Sequence, residues 1–177
     1  MGGSIGKKKS KIIIVGLDNS GKSTMINMLK PKKYAEVDIA ATVGFKVETF
    51  SKSKIDFTVF DMSGQSKYRQ LWEQYYDESE AIIFVIDSAD KLRIKVAKNE
   101  LENLLDHPSI KKRKIPILFF ANKMDLGIAM TEQEVAREMG LPEITDRPWS
   151  IQASSATEGF GVDEGITWLS EQIKKGQ

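Results

Sequence analysis

Gly16–Ser23 reads GLDNSGKS, set between the aliphatic run Ile12, Ile13, Ile14, Val15 and the segment TMINMLK. The eight residues fit G-x-x-x-x-G-K-[ST], a glycine-rich turn that leaves a buried strand and opens a helix. Glycines at this spacing let backbone N–H groups curl around phosphates, a lysine reach the β and γ oxygens, and a hydroxyl offer itself to Mg²⁺. Gly16, Leu17, Asp18, Asn19, Ser20, Gly21, Lys22, Ser23 and Thr24 are therefore expected to line a phosphate site, with Ser23 a ligand of Mg²⁺. A glycine turn that only caps a helix is the competing reading. The strand before it and the helix after it weigh against that. What the cradle serves is not written in these eight residues.

A chain of 177 residues suits one domain, and at that length roughly 70% of the unfolded surface can be buried without staples. Cysteine is absent, which rules out disulfides, thiolate metal clusters and a cysteine nucleophile and suits a reducing compartment. With 26 basic and 25 acidic residues and a net charge of +1, nothing draws the whole molecule to nucleic acid. The longest apolar runs, Ala81–Ile86 and Ile115–Ala121, fall far short of the ~20 residues of a membrane-spanning helix, so a cytoplasmic protein is expected. The start, MGGSIGKKKSK, lacks the apolar segment of a secretory signal. Gly2 suggests myristoylation, but that motif wants Ser or Thr at position 6, where this chain has Gly6. Residues 1–10 read as a tag remnant followed by a flexible basic terminus, and residues 1–177 as a single domain.

Short apolar runs alternate with stretches of helical period. Lys11–Val15, Ile55–Phe60, Ala81–Ile86, Ile115–Ala121 and Trp149–Ala153 read as strands, mostly continuous in apolar character, which implies a parallel sheet buried on both faces. FKVETF, Phe45–Phe50, alternates instead and is followed by the polar SKSK, the pattern of a hairpin whose first strand lies at a sheet edge. Ile94, Ala97, Leu101 and Leu105 recur at helical spacing, as do Ile166, Leu169 and Ile173. Thr131 and Glu134 form a capping box, and Gly140 ends that helix. Alternating β and α elements give a doubly wound α/β domain that binds ligands outside the carboxyl ends of its strands.

A phosphate cradle does not choose its base. NKMD, Asn122–Asp125, follows the buried strand Ile115–Ala121. A carboxylate only accepts hydrogen bonds, and guanine presents two adjacent donors. Adenine has no such pair, and a site left with an unpaired buried carboxylate rejects the wrong ligand by ~10⁴ or more. Asn122, Lys123 and Asp125 are thus expected to read guanine, with the Lys123 stem on the base face. Ser155, Ala156 and Thr157 follow a strand and could supply a backbone N–H to the guanine oxygen. DMSGQ, Asp61–Gln65, follows another strand. There Asp61 would hold Mg²⁺ through water, Gly64 would present its N–H to a γ-phosphate, and Gln65 would orient the attacking water. Thr42 is the natural second hydroxyl on the metal.

GLDNSGKST, TVGF, DMSGQ, NKMD and SAT, in this order over nearly the whole chain, resemble the ADP-ribosylation factor branch of the small GTPases. Asp18 and the later LWEQYY belong to that branch, and FTVFDMSGQSKYRQLWEQYY is similar to a ciliary member of it. The resemblance implies a P-loop fold with a mostly parallel six-stranded sheet, one antiparallel edge strand and helices on both faces. It implies GTP and GDP as ligands, and Phe45, Phe60 and Tyr75 as an aromatic surface read by effectors in the GTP state. It also implies a ciliary coat complex, the BBSome, as effector, an exchange factor and an activating protein as regulators, and a location at membranes and the cilium base. Relatives dock on membrane through an N-terminal helix, and here only IGKKKSK precedes the first strand. Four lysines there would add only ~1 kcal/mol each at an anionic surface. The branch usually carries two glycines before the glutamine, and the first is Ser63 here, which narrows the conformations of that loop.

The expected function is a guanine-nucleotide switch with slow hydrolysis, because no arginine is placed at the phosphates in cis and Arg69 is expected on the outer face. A nucleotide-loaded scaffold that never cycles is an alternative. A phosphotransferase using the same cradle is less favoured, since no arginine-rich lid is evident. His107, before Pro108, reads as surface in a turn. Lys111–Lys114, KKRK, solvates the entry to a strand rather than binding nucleic acid.

Overall fold

The computed structural model describes residues 6–35 and 42–176. The readings of Gly2 and of the tag remnant over residues 1–5 lie outside the described residues. Among these, six strands form one sheet in the order β2-β3-β1-β4-β5-β6. The strands are β1 (Lys8–Val15), β2 (Phe45–Lys52), β3 (Ile55–Met62), β4 (Ala81–Asp87), β5 (Ile117–Asn122) and β6 (Trp149–Ala153). All neighbouring pairs are parallel except β2 with β3. The sheet is therefore mostly parallel with one antiparallel edge, as expected.

The continuous apolar runs have a plain cause. In β1, Ile13 and Val15 enter one core while Ile12 and Ile14 enter the other, so consecutive residues are all buried on opposite faces. The first core is covered by α2 (Ile94–Asp106), α3 (Pro108–Arg113) and α4 (Glu132–Glu138), the second by α1 (Lys22–Leu29) and α5 (Val162–Lys175). Along α2 the buried residues are Ile94, Ala97, Leu101 and Leu104, with Leu105 half-buried beside them. Each fully buried aliphatic contributes about 1.5–3 kcal/mol. The Thr131 capping box is present in full, and Gly140 adopts the left-handed conformation just beyond α4.

Several boundaries differ from the sequence reading. β1 begins at Lys8, where Lys8, Lys9 and Ser10 pair with Ile55, Asp56 and Phe57, so residues 8–10 are strand rather than flexible terminus. Two lysines here are engaged too, Lys8 Nζ with the Ile173 carbonyl at 3.2 Å and Lys7, just ahead of the strand, with Asp56 at 3.7 Å. β5 starts after Pro116, which has no N–H to give a ladder. His107 is not in a free turn. Its Nδ1 accepts from Ser109 N and caps α3, and its ring stands edge-on to Tyr76.

The β2–β3 hairpin turns through Ser53 and Lys54, both with positive φ, the geometry of a two-residue turn that matches the twist of the strands. Beyond the sheet itself, β2 is tied to α1 by Lys30–Glu48 (2.9 Å) and to α5 by Lys52–Asp163 (3.0 Å). The chain crosses from β3 past β1 to β4, so the strand order reverses at the carboxyl end of β1. Such a point is where an open α/β sheet leaves a crevice for ligand.

Candidate functional site

The crevice holds an open cavity of about 380 Å³ lined by Asp18, Asn19, Gly21, Lys22, Thr42 and Gln65, among others. Gly21 heads α1 in the left-handed conformation with no side-chain cap, so the first N–H groups of α1 point out without a side chain to satisfy them. A Cβ on Gly21 would sit 2.3 Å from Asn122 Nδ2. Lys22 is buried, and its ammonium donates to the carbonyls of Gly16 (3.1 Å) and Leu17 (2.9 Å). Burial pushes its pKa down to about 8, against the opposing pull of Asp61 and Asp18. A cation held by neutral carbonyls is poised for a better anion.

Ser23, Thr42 and Asp61 come together beside it. Ser23 Oγ donates to Asp61 Oδ2 at 2.7 Å and lies 2.9 Å from Thr42 Oγ1, which is itself 3.5 Å from the same carboxylate oxygen. Asp61 is buried, its Oδ1 without a hydrogen-bond partner among the described residues, and burial pushes its pKa up although the Ser23 bond works the other way. Hard oxygens around one unpaired buried carboxylate oxygen suit Mg²⁺. Among the described residues no three His, Cys, Asp or Glu side chains cluster to hold a metal. A divalent ion here would need phosphate oxygens to balance its charge.

The loop after β3 lies directly on the phosphate loop. A Cβ on Gly64 would fall 2.2 Å from Asp18 N and Leu17 C, so only glycine fits. Ser63 is buried, donates its N–H to the Gly44 carbonyl (2.9 Å) and accepts Trp72 Nε1 on its own carbonyl (3.0 Å). Gln65, half-buried, borders the cavity beside them.

Arg69 corrects the sequence reading. Its side chain is 12% exposed, with Nε on the Gly64 carbonyl (2.9 Å), Nη1 on Glu100 (3.3 Å) and Nη2 3.6 Å from Asp18. Ser66–Tyr75 is a 3₁₀ helix, in which residues three apart share a face, so Arg69 points inward with Trp72 and Tyr75. Asp18 also takes Arg93 Nη1 at 2.8 Å. Burial alone would raise the Asp18 carboxyl, but the Arg93 hydrogen bond and charge hold it below the usual range.

The Asn122–Asp125 motif, expected to read the base, is braced to the Gly16–Ser23 loop. Asn122 Nδ2 donates to the Ser20 carbonyl (2.9 Å), while its Oδ1 accepts from Ser154 Oγ (3.1 Å) and Ala156 N (3.0 Å). Lys123 stretches to the Asn19 carbonyl (2.6 Å) and pairs with Asp87 at 2.9 Å, its charge beside the phosphate loop as read. Asp125 is exposed rather than buried as expected for base selection, and its Oδ1 accepts from Ser155 Oγ at 2.9 Å. The N–H groups of Ser155 and Ala156 are both taken by protein acceptors, Phe160 O and Asn122 Oδ1. Thr157 stays exposed on this loop.

Phe45, Phe60 and Tyr75 also meet, with both phenylalanine rings 4.9 Å from Tyr75. Phe60 is almost buried, whereas Phe45 is exposed together with Val43 and Val47. Sequence reasoning missed Arg93 and Asp87. Asp87 ends a buried strand at the carboxyl edge of the sheet, a signal that could have found it. Nothing in the local sequence marks Arg93. Among the described residues no helix is long and apolar enough to cross a membrane.

Residues 2–173 match the model of the ADP-ribosylation factor family. The ADP-ribosylation factor-like protein 6 of Danio rerio is 56% identical over 168 residues, 95% of this chain and 90% of that protein. Its namesake in Caenorhabditis elegans is 43% identical over 97% of this chain and 90% of that protein. A solved structure of the Arl6 BBS3 small GTPase from Trypanosoma brucei, with the bound nucleotide analogue GppNp, superposes with a TM-score of 0.90 at 45% identity. The match covers 96% of this chain and all of that one.

Proposed function

The chain belongs to the ADP-ribosylation factor family, small GTPases that bind GTP and GDP and hydrolyse GTP, and on that premise we propose a slow Mg²⁺-dependent switch that recruits a coat complex, the BBSome. The observation that carries the switch is the meeting of Ser23, Thr42 and Asp61. Thr42 comes from the loop ahead of β2 and Asp61 from the end of β3, so whatever binds at Ser23 ties both loops to the phosphate site. Loss of the γ-phosphate would release them, an order–disorder switch.

In the bound state the N–H groups heading α1 and the Lys22 ammonium would hold the phosphates, and Asp125 would accept from the guanine edge. Ser23 and Thr42 would ligate Mg²⁺ directly and Asp61 through water. When bound, the ion neutralises charge on the β and γ oxygens. Gln65 would orient a water whose oxygen bonds to the γ-phosphorus while the bond to the β–γ bridging oxygen breaks. The bridging oxygen keeps the electron pair on GDP, and the water proton leaves with inorganic phosphate. Arg69 and Arg93, the arginines nearest the phosphate loop, are both held by Asp18. An arginine finger is worth ~10³ to 10⁵ in rate, so an activating protein would supply it. An exchange factor would release GDP.

Phe45 and Tyr75, with Phe60 beneath and Val43 and Val47 alongside, would form the effector surface in the GTP state. The BBSome, a location on membranes at the cilium base and a role in ciliary protein transport rest on the likeness to ADP-ribosylation factor-like protein 6. The deciding experiment measures bound nucleotide and single-turnover hydrolysis on the purified protein, then presents its GTP- and GDP-loaded forms to purified BBSome. Capture by the GTP form alone is expected. Equal capture by both forms, or by neither, would remove the BBSome as effector, and tight GTP with no hydrolysis would leave a scaffold.

A further inference from the structure

We propose that Ser63 and Arg69 are positioning residues for GTP hydrolysis, clamping the Gly64–Gln65 peptide from its two ends. The inference rests on the role proposed above for Gln65. The Gln65 N–H donates to Ser63 Oγ at 3.3 Å, and the Gly64 carbonyl, the other end of the same planar peptide, accepts from Arg69 Nε at 2.9 Å. Because a peptide is planar, fixing the directions of its N–H and C=O fixes the two soft torsions on either side. Those torsions set where the Gln65 side chain leaves the loop.

Gly64 makes the restraint necessary. The close approach to Leu17 and Asp18 demands glycine, and glycine has the widest choice of backbone conformations. Both jaws are anchored elsewhere. Ser63 bonds Gly44 ahead of β2 and Trp72, while Arg69 reaches Glu100 on α2 and Asp18 in the phosphate loop. The glutamine is thus referenced to four parts of the fold, the segment ahead of β2, the Ser66–Tyr75 helix, α2 and the phosphate loop. A hydroxyl bonding the N–H two residues on is a local motif that glycine at position 63 cannot make.

Hydroxyl burial alone also demands a partner, so a structural role must be separated from a positioning one. The test is a double-mutant cycle on the full chain loaded with GTP and Mg²⁺, using Ser63→Ala, Gln65→Leu and their combination. Single-turnover hydrolysis, GTP dissociation and the thermal midpoint are read for each. Ser63→Ala is expected to slow hydrolysis about fivefold, the effect of one ordinary hydrogen bond, with GTP dissociation unchanged and no further slowing on top of Gln65→Leu. Ser63→Gly lacks the same hydroxyl and should match it, and Ser63→Thr should stay within about twofold of the parent. Arg69→Lys keeps the charge but not the fork, and should show the same dependence on Gln65. A normal rate in Ser63→Ala beside a slow Gln65→Leu would overturn the clamp. So would equal slowing by Ser63→Ala in both backgrounds. A parental rate in Gln65→Leu would instead remove the role of Gln65, and the clamp with it.

Discussion

Asn122 Nδ2 reaches the carbonyl of Ser20 at 2.9 Å, so two loops 102 residues apart in the chain share one buried hydrogen bond. The same side chain holds Ser154 Oγ and the Ala156 N–H, which makes Asn122 the joint between phosphate loop and base loops. Asn122→Ala would leave three buried groups unpaired. A loss of about 2–4 kcal/mol in stability is expected, read by urea unfolding of the GDP-bound protein. Nucleotide affinity should fall at least tenfold in parallel.

Lys22 makes nucleotide binding sensitive to pH. Its folded pKa of about 8 lies below the ordinary lysine value of 10.5, so the nucleotide-free fold carries the cost of a buried ammonium below pH 8 and sheds it as pH rises toward 10.5. Phosphates favour the ammonium, so binding near pH 8 takes up a proton. GDP affinity should weaken about fourfold between pH 7 and 8.5, and calorimetry in buffers of different ionisation enthalpy should count about half a proton at pH 8. No net uptake would show that Lys22 is already charged.

Asp125 stands exposed, with one carboxylate oxygen held by Ser155 Oγ. Asp125→Asn exchanges one acceptor oxygen for a donor, which suits xanthine rather than guanine. Competition between GTP and XTP should shift by at least 100-fold toward XTP. Unaltered preference would mean that the base is read elsewhere.

Gly64 tolerates no side chain against Leu17 and Asp18. Gly64→Ala should displace the loop after β3 and slow single-turnover hydrolysis at least tenfold, while GDP binding, which makes no demand on this loop, changes less than twofold. Comparable loss of both would place the damage in the phosphate loop instead.

Phe45 is the exposed ring of the aromatic group, tilted against Tyr75 with the ring centroids 4.9 Å apart. Phe45→Ala should weaken capture of a GTP-state effector by about tenfold or more, the scale of an aromatic anchor, and leave hydrolysis unchanged.

How far these features could be read from the sequence depended on what kind of constraint wrote them. Lys22, Asp61, Asn122 and Asp125 could be singled out because the phosphate, metal and base roles proposed for them demand particular atoms at fixed chain spacings. The two-sided burial of β1, β4 and β5 was legible because it writes continuous apolar runs. Arg69 was not, since its inward direction follows from a three-residue period within Ser66–Tyr75 and from acceptors on Gly64, Asp18 and Glu100 that only the fold assembles. Arg93 shares that origin, its partner Asp18 lying 75 residues away. The engagement of the Ala156 N–H by Asn122 was equally out of reach, because backbone direction leaves no trace in residue type.

The edge strand β2 carries Phe45, and two ion pairs, Lys30–Glu48 and Lys52–Asp163, fasten it to the helices beneath. The parallel strands are fixed by cores that salt does not weaken, whereas ion pairs lose strength as salt rises, the exposed Lys52–Asp163 more than the largely buried Lys30–Glu48. Salt should therefore act on this molecule as a lubricant of one part only. Raising it loosens the strand that presents the aromatic face and leaves the nucleotide floor as rigid as before.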